Sequence, residues 1–159
     1  TVNETRKAAM ARKVLDALAG PARGATVAVL GLTFKPNTDD MREAPSIDVI
    51  TALQDAGARV RAYDPEGMKA AEQVLSGVEY AGDAYACADG ADALVIVTEW
   101  DMFRALDLGR LKAALKAPIV VDLRNIYRPD DMRLHGFQYS SIGRPEGFNW
   151  LGAEGIAAE

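Results

Sequence analysis

The sequence predicts an α/β fold: a doubly wound, mainly parallel sheet of six strands, preceded by a long helix. Three observations point there. Short apolar segments alternate with helical ones along most of the chain. The first of these segments, Thr26 to Gly31, is apolar almost throughout rather than alternating, as a strand covered on both faces must be. The length of 159 residues, with 49% hydrophobic content, suits one domain with a full core and is short for two.

Val2 to Ala19 carries helical periodicity: Ala8, Ala11, Leu15 and Leu18 form one apolar stripe, and Met10, Val14 and Ala17 form a second beside it. Gly20-Pro21 ends the helix. Two adjoining stripes give more apolar surface than a helix lying on one sheet needs. Either a second subunit or the domain itself covers the excess.

The remaining strands are expected at Arg59 to Tyr63, Val78 to Ala81, Ala93 to Val97, Ile119 to Asp122 and Phe137 to Ile142. Helices separate them at Pro45 to Ala56, Met68 to Leu75, Tyr85 to Ala88, Leu108 to Lys116 and Pro129 to Leu134. Right-handed crossovers then favour the strand order 3-2-1-4-5-6, which sets strand 1 beside strand 4. The segment from Gly143 to Glu159 has no periodicity, and residues 145–159 are expected to form a loose tail. These boundaries leave 21–144 as the domain itself.

Lys and Arg total 18 against 23 Asp and Glu, a formal charge of −5, so no global positive field draws in a nucleic acid or an anionic membrane. A bound anion must meet a local site. One cysteine forms no intramolecular disulfide, and no apolar run reaches the ~18 residues of a membrane span. Together these predict a soluble, cytoplasmic protein. The start Thr1-Val2-Asn3-Glu4, without an initiator methionine or a secretory layout, suggests a piece of a longer chain.

Ligands of open parallel sheets bind beyond the carboxyl ends of the strands where the strand order reverses, here between strands 1 and 4. The loop after strand 1 runs from Leu32 to Ala44, well beyond the usual ~2 to 6 residues. A dinucleotide site would show Gly-x-Gly-x-x-Gly there, because backbone can approach a pyrophosphate only where side chains are missing. Only Gly31 is present, so the domain is Rossmann-like without the fingerprint, although Asp64 at the end of strand 2 resembles the acidic residue that grips a nicotinamide ribose.

The loop offers other anion ligands: Lys35 as a mobile point charge and Arg42 as a planar fork. Thr98-Glu99-Trp100 follows strand 4, and Leu123-Arg124-Asn125 follows strand 5. Lys35 and Arg124 can converge on one phosphorylated ligand, with Phe34 or Trp100 as an aromatic wall. Against this, each cation could be an ordinary surface charge paired with Asp39, Asp40, Glu43 or Asp122.

At this loop a resemblance becomes specific. The run Val29-Leu30-Gly31-Leu32-Thr33-Phe34-Lys35-Pro36-Asn37-Thr38-Asp39-Asp40-Met41-Arg42-Glu43-Ala44-Pro45-Ser46 resembles the opening of the C-terminal domain of the UDP-glucose/GDP-mannose dehydrogenase family. Residues 90–100, ending Val97-Thr98-Glu99-Trp100, and residues 120–127, Val120-Val121-Asp122-Leu123-Arg124-Asn125-Ile126-Tyr127, resemble its UDP-glucose branch. The resemblance covers about residues 1 to 144.

The resemblance implies an enzyme that oxidises the C6 alcohol of UDP-glucose to the carboxylate of UDP-glucuronate with two NAD, through a cysteine-bound thiohemiacetal and thioester. A thiolate suits this because it holds the aldehyde between the two oxidations and then leaves on hydrolysis. It further implies that Phe34 and Lys35 contact the UDP-sugar, Lys35 near the diphosphate, that Arg124 also binds substrate, and that Arg42 reaches toward NAD held mainly by an N-terminal domain. Residues 1–20 would be the C-terminal part of a central helix that joins the two domains and builds a homodimer.

Cys87, in Asp83-Ala84-Tyr85-Ala86-Cys87-Ala88, has no basic neighbour in sequence to lower its pKa and is expected to be a packing residue, so no catalytic residue is assigned in this chain. His135, before Gly136 at a helix end, is expected at the surface or in a cap. Neither suggests a metal site. Within the family the sugar could instead be GDP-mannose or an N-acetylated UDP-hexosamine, with Thr33, Pro36-Asn37-Thr38 and Thr98-Glu99-Trp100 favouring UDP-glucose. Outside it, the chain could be a non-enzymatic phosphate-binding or receiver-like module. A receiver would place an acidic pair directly after strand 1, whereas Asp39-Asp40 lies eight residues beyond Gly31.

Overall fold

A computed structural model describes residues 2–142, with side chains described from residue 5. The expected tail at 145–159 lies outside the described residues. The elements run α1 (Val2–Ala17), β1 (Thr26–Leu30), α2 (Pro45–Asp55), β2 (Arg59–Tyr63), α3 (Met68–Glu72), β3 (Val78–Tyr80), α4 (Ala84–Ala88), β4 (Ala93–Ile96), α5 (Asp101–Arg104), α6 (Leu108–Ala114), β5 (Ile119–Asp122), α7 (Pro129–Leu134) and β6 (Gln138–Ser141).

The six strands form one sheet in the expected order, β3-β2-β1-β4-β5-β6, and every neighbouring pair is parallel. Central β1 registers Val27 with Val60 on one side and with Ala93 on the other. Alternate residues of the strands face opposite ways. Val27 and Val29 pack into a core under α1 and α2, whereas Ala28 and Leu30 pack into a core with Cys87, Phe103, Leu111 and Met132. Both faces of β1 are therefore buried, and complete burial of each large aliphatic side chain contributes about 2 kcal/mol relative to exposure. The apolar run in the sequence reflects that double cover.

Helix α1 packs on α2 and reaches β5. Met10, Ala11 and Val14 are buried, and Leu15, Ala17 and Leu18 pack partly buried against the same core. The domain itself thus covers most of both apolar stripes and leaves Ala8 exposed. Pro45 stands in the first turn of α2, where its missing N–H has no partner to lose. Asp83 caps α4 by accepting from the Ala86 N–H at 2.7 Å.

Several elements end slightly earlier than the sequence suggests, while β2, α4, β5 and α7 end as expected. Strand β1 stops at Leu30 because Gly31 takes φ of +96° and turns the chain out of the sheet. Helix α6 stops at Ala114, since Leu115 has extended backbone. The short α5 has no counterpart among the elements expected from the sequence. Four residues are too few to carry a helical period.

Candidate functional site

The long loop after β1 is anchored at its start and open beyond. Gly31 donates its N–H to the Tyr63 carbonyl at 2.9 Å, and a β-carbon on Gly31 would lie 2.5 Å from both the backbone nitrogen and Cβ of Thr98. Only glycine allows this approach of β1 to the loop after β4. Leu32 and Thr33 are fully buried, and the Thr98 hydroxyl donates to the Thr33 carbonyl at 2.7 Å. Ser46 ties the far end by donating to the Leu32 carbonyl. Between these anchors the side chains of Phe34 and Lys35 are exposed.

Asp64 is the hub of this arrangement. Its Oδ2 accepts from the Leu32 N–H at 2.7 Å, the Thr33 N–H at 3.2 Å and the Trp100 indole N–H at 3.1 Å. Its Oδ1 accepts from the N–H groups of Glu66 and Gly67 at 2.9 and 2.8 Å. A buried carboxylate is stable only when its lone pairs are met in this way. Both oxygens are committed inside the fold, so Asp64 does not grip a ribose. Nor does the β1 turn fit a dinucleotide pyrophosphate, since Leu32 and Thr33 fill the place where a cradle needs glycines.

Asp122 plays the corresponding part after β5. It accepts from the N–H groups of Arg124, Ile126 and Tyr127 at 3.1, 2.8 and 3.0 Å and from the Tyr139 hydroxyl at 2.6 Å. Neither carboxylate stood out as structural in the sequence. The available signal was an Asp ending a buried strand and followed by a turn, as in Asp64-Pro65-Glu66-Gly67.

The expected site residues fall into two groups. Phe34 and Arg124 meet on one cavity of about 450 Å³. Met10 and Pro45 supply its apolar lining, Glu43 stands on the loop side, and α1 contributes Arg6 and Lys7, which the sequence reading missed. Lys7 is held by Asp48 at 3.2 Å. Lys35 and Arg42 do not line this cavity. The Arg42 fork instead binds Asp40 through Nε at 3.0 Å and Nη2 at 3.1 Å, with its side chain 89% exposed. That hydrogen-bonded pair lowers the Asp40 pKa and raises that of Arg42.

Arg124 pairs with Glu99 rather than Asp122, Nη2 to Oε2 at 2.8 Å. Burial alone would raise the Glu99 pKa, but the hydrogen bond and charge of Arg124 outweigh it and hold the carboxyl below the usual range. Trp100 is buried with its N–H committed to Asp64, and of the two aromatic residues it is Phe34 that lines the cavity.

Cys87 is completely buried, with its thiol against the Arg61 and Val29 carbonyls at 3.3 and 3.7 Å. Burial pushes it up to about 12, the reverse of what a nucleophile needs. It is a packing residue. His135 ends α7, its Nδ1 2.8 Å from the Asp131 carbonyl. Among the described residues no cluster of His, Cys, Asp and Glu could hold a metal, and no helix is long and apolar enough to cross a membrane.

Residues 28–129 match the model of the UDP-glucose/GDP-mannose dehydrogenase family, UDP binding domain. The chain belongs to the UDP-glucose/GDP-mannose dehydrogenase family. Among family members, a UDP-glucose 6-dehydrogenase of Rhizobium meliloti (strain 1021) is 61% identical over 145 residues, covering 91% of this chain and 33% of that protein. UDP-glucose 6-dehydrogenase TuaD of Bacillus subtilis (strain 168) is 42% identical over 144 residues, covering 90% and 31%. The solved UDP-glucose dehydrogenase of Pyrobaculum islandicum superposes with a TM-score of 0.71 at 34% identity, over 87% of this chain and 30% of that one. The chain spans about a third of the length of the curated relatives it matches. The family match includes Phe34, Lys35, Arg42, Glu99 and Arg124 and leaves out α1.

Proposed function

We propose that this chain is the nucleotide-sugar-binding part of an enzyme that oxidises UDP-glucose to UDP-glucuronate with two NAD. The observation that carries the reading is the cavity shared by Phe34 and Arg124 beyond the carboxyl ends of the strands. Identity of 61% and 42% to UDP-glucose 6-dehydrogenases supports UDP-glucose over GDP-mannose or an N-acetylated UDP-hexosamine. Phe34 packs against the ligand, Arg124 donates to it, and Lys35 swings from the exposed loop to the diphosphate. NAD supplies the oxidising chemistry, bound mainly by the rest of the enzyme, and Arg42 reaches toward it from the outer side of the same loop. With Cys87 buried and the glycine cradle missing, this chain alone forms no NADH from UDP-glucose.

The partner of the full enzyme is a second copy of itself, docking along α1 where Ala8, Ala11, Thr51 and Ala52 line an open groove between α1 and α2. The enzyme works in the cytoplasm. Calorimetric titration of the chain with UDP and GDP tests the binding reading. UDP is expected to bind more tightly than GDP, and Lys35→Ala and Arg124→Ala are each expected to weaken UDP by about tenfold, the scale of one charge-assisted hydrogen bond. Equal UDP affinity in the parent and both variants would remove the assignment.

A further inference from the structure

The pair formed by Arg124 and Glu99 joins the loop after β5 to the loop after β4, and both ends are rigidly mounted. Glu99 stands between Thr98, which donates to the Thr33 carbonyl, and Trp100, which donates to Asp64. Its own carbonyl accepts from Arg104 at 3.3 Å. Arg124 follows Asp122, which holds the Arg124 N–H at 3.1 Å, and precedes Asn125 in the left-handed region at φ of +57°. Between these mounts the side chains meet at 2.8 Å, 29% and 28% exposed. Oε1 of Glu99 is buried and has no hydrogen-bond partner among the described residues.

We propose that Glu99 is a positioning residue of the nucleotide-sugar site: it holds the Arg124 guanidinium so that its remaining N–H groups face the cavity beside Phe34. A guanidinium has five N–H donors in a rigid fork, and one bond to Glu99 leaves the others for a ligand. The carboxylate also offsets much of the local positive charge. Arg124 therefore recognises ligand acceptors by direction more than by long-range attraction, a division of labour that leaves the charge of the diphosphate to cations without a buried anion beside them. This inference rests on the reading of the cavity as a nucleotide-sugar site.

Charge and orientation predict opposite signs for removing Glu99. If charge dominated, Glu99→Ala would tighten UDP, because an anion beside an anion site is gone. If orientation dominates, Glu99→Ala weakens UDP by about tenfold, while Glu99→Gln, which keeps an oxygen acceptor at the same place, stays within about threefold. The test is calorimetric titration of UDP into the whole chain and both variants, with circular dichroism and melting curves to verify that each is folded. In parallel, low-temperature NMR follows the resonance of the Arg124 Nη2–H group that bonds Glu99, assigned through Arg124→Lys. It is expected to be displaced from the exposed arginine position in the parent and in Glu99→Gln, and to return to it in Glu99→Ala.

Unchanged or tighter binding in Glu99→Ala overturns the proposal. So does an equal loss in Glu99→Gln with the Arg124 resonance unmoved, since the effect would then bypass Arg124. If the parent itself fails to bind UDP, the nucleotide-sugar reading fails, and the resonance alone decides the clamp: its return in Glu99→Ala sustains the clamp, and no difference among the proteins removes it.

Discussion

The Trp100 indole N–H donates to Asp64 Oδ2 at 3.1 Å, joining the loop after β4 to the carboxyl end of β2 across the intervening strand β1. The same oxygen accepts the N–H groups of Leu32 and Thr33, so one carboxylate sets the path of the chain just before Phe34 and Lys35. Asp64→Asn keeps the shape but turns one oxygen into an NH₂ facing backbone donors. A loss of about 3 kcal/mol in urea unfolding is expected, because buried hydrogen bonds to a charged acceptor are lost and donors are left unmet. A loss below about 1 kcal/mol would show that the loop does not depend on this hub.

Gly31→Ala tests the close approach of β1 to Thr98. At φ of +96°, with Thr98 backbone 2.5 Å from the new β-carbon, the variant must either strain the turn or push the β4 loop away. A destabilisation of about 2 to 3 kcal/mol is expected in chemical denaturation, with weakened UDP binding because Glu99 moves with Thr98. Parent-like stability and affinity would place the strands' coupling elsewhere.

Cys87 predicts an alkaline effect with a definite sign. Its thiol is pushed up to about 12 from an ordinary value of 9.0, so the folded state keeps a proton that the unfolded state releases. That contribution to stability is complete below pH 9 and is lost as pH rises toward 12. Denaturation midpoints should fall across this window in the parent and fall less in Cys87→Ala. Iodoacetamide at pH 8 should label the thiol only once the protein is unfolded; rapid labelling of the native protein would contradict its burial.

Glu99 predicts the acid counterpart. Its folded pKa lies below the ordinary 4.5, so its pairing with Arg124 contributes stability above that value, and the contribution is lost as pH falls through the folded pKa. Stability measured between pH 3 and pH 6 should drop less steeply in Glu99→Gln than in the parent. Identical slopes would mean that the pair adds nothing to folding in solution.

Much of the architecture was legible in the chain because its signals are local. The apolar run of β1, Pro45 opening α2, Gly57 after α2 and the unusual length of the loop after β1 each lie within a few residues of the feature they dictate. The short α5 was not legible, since four residues carry no period.

By itself, then, the sequence determined the α/β class, the strand order and the resemblance to a nucleotide-sugar dehydrogenase family. The tertiary structure alone decided which side chains meet. Asp64 binds Leu32 across 32 residues and Trp100 across 36, and Arg124 finds Glu99 across 25. It therefore made Asp64 a hub, buried Trp100, separated Arg42 from the cavity shared by Phe34 and Arg124, and brought Arg6 of α1 to that cavity. The physical reason is that periodicity and turn chemistry act along the chain, whereas the partner of a charged side chain is chosen by what the sheet places within about 3 Å of it.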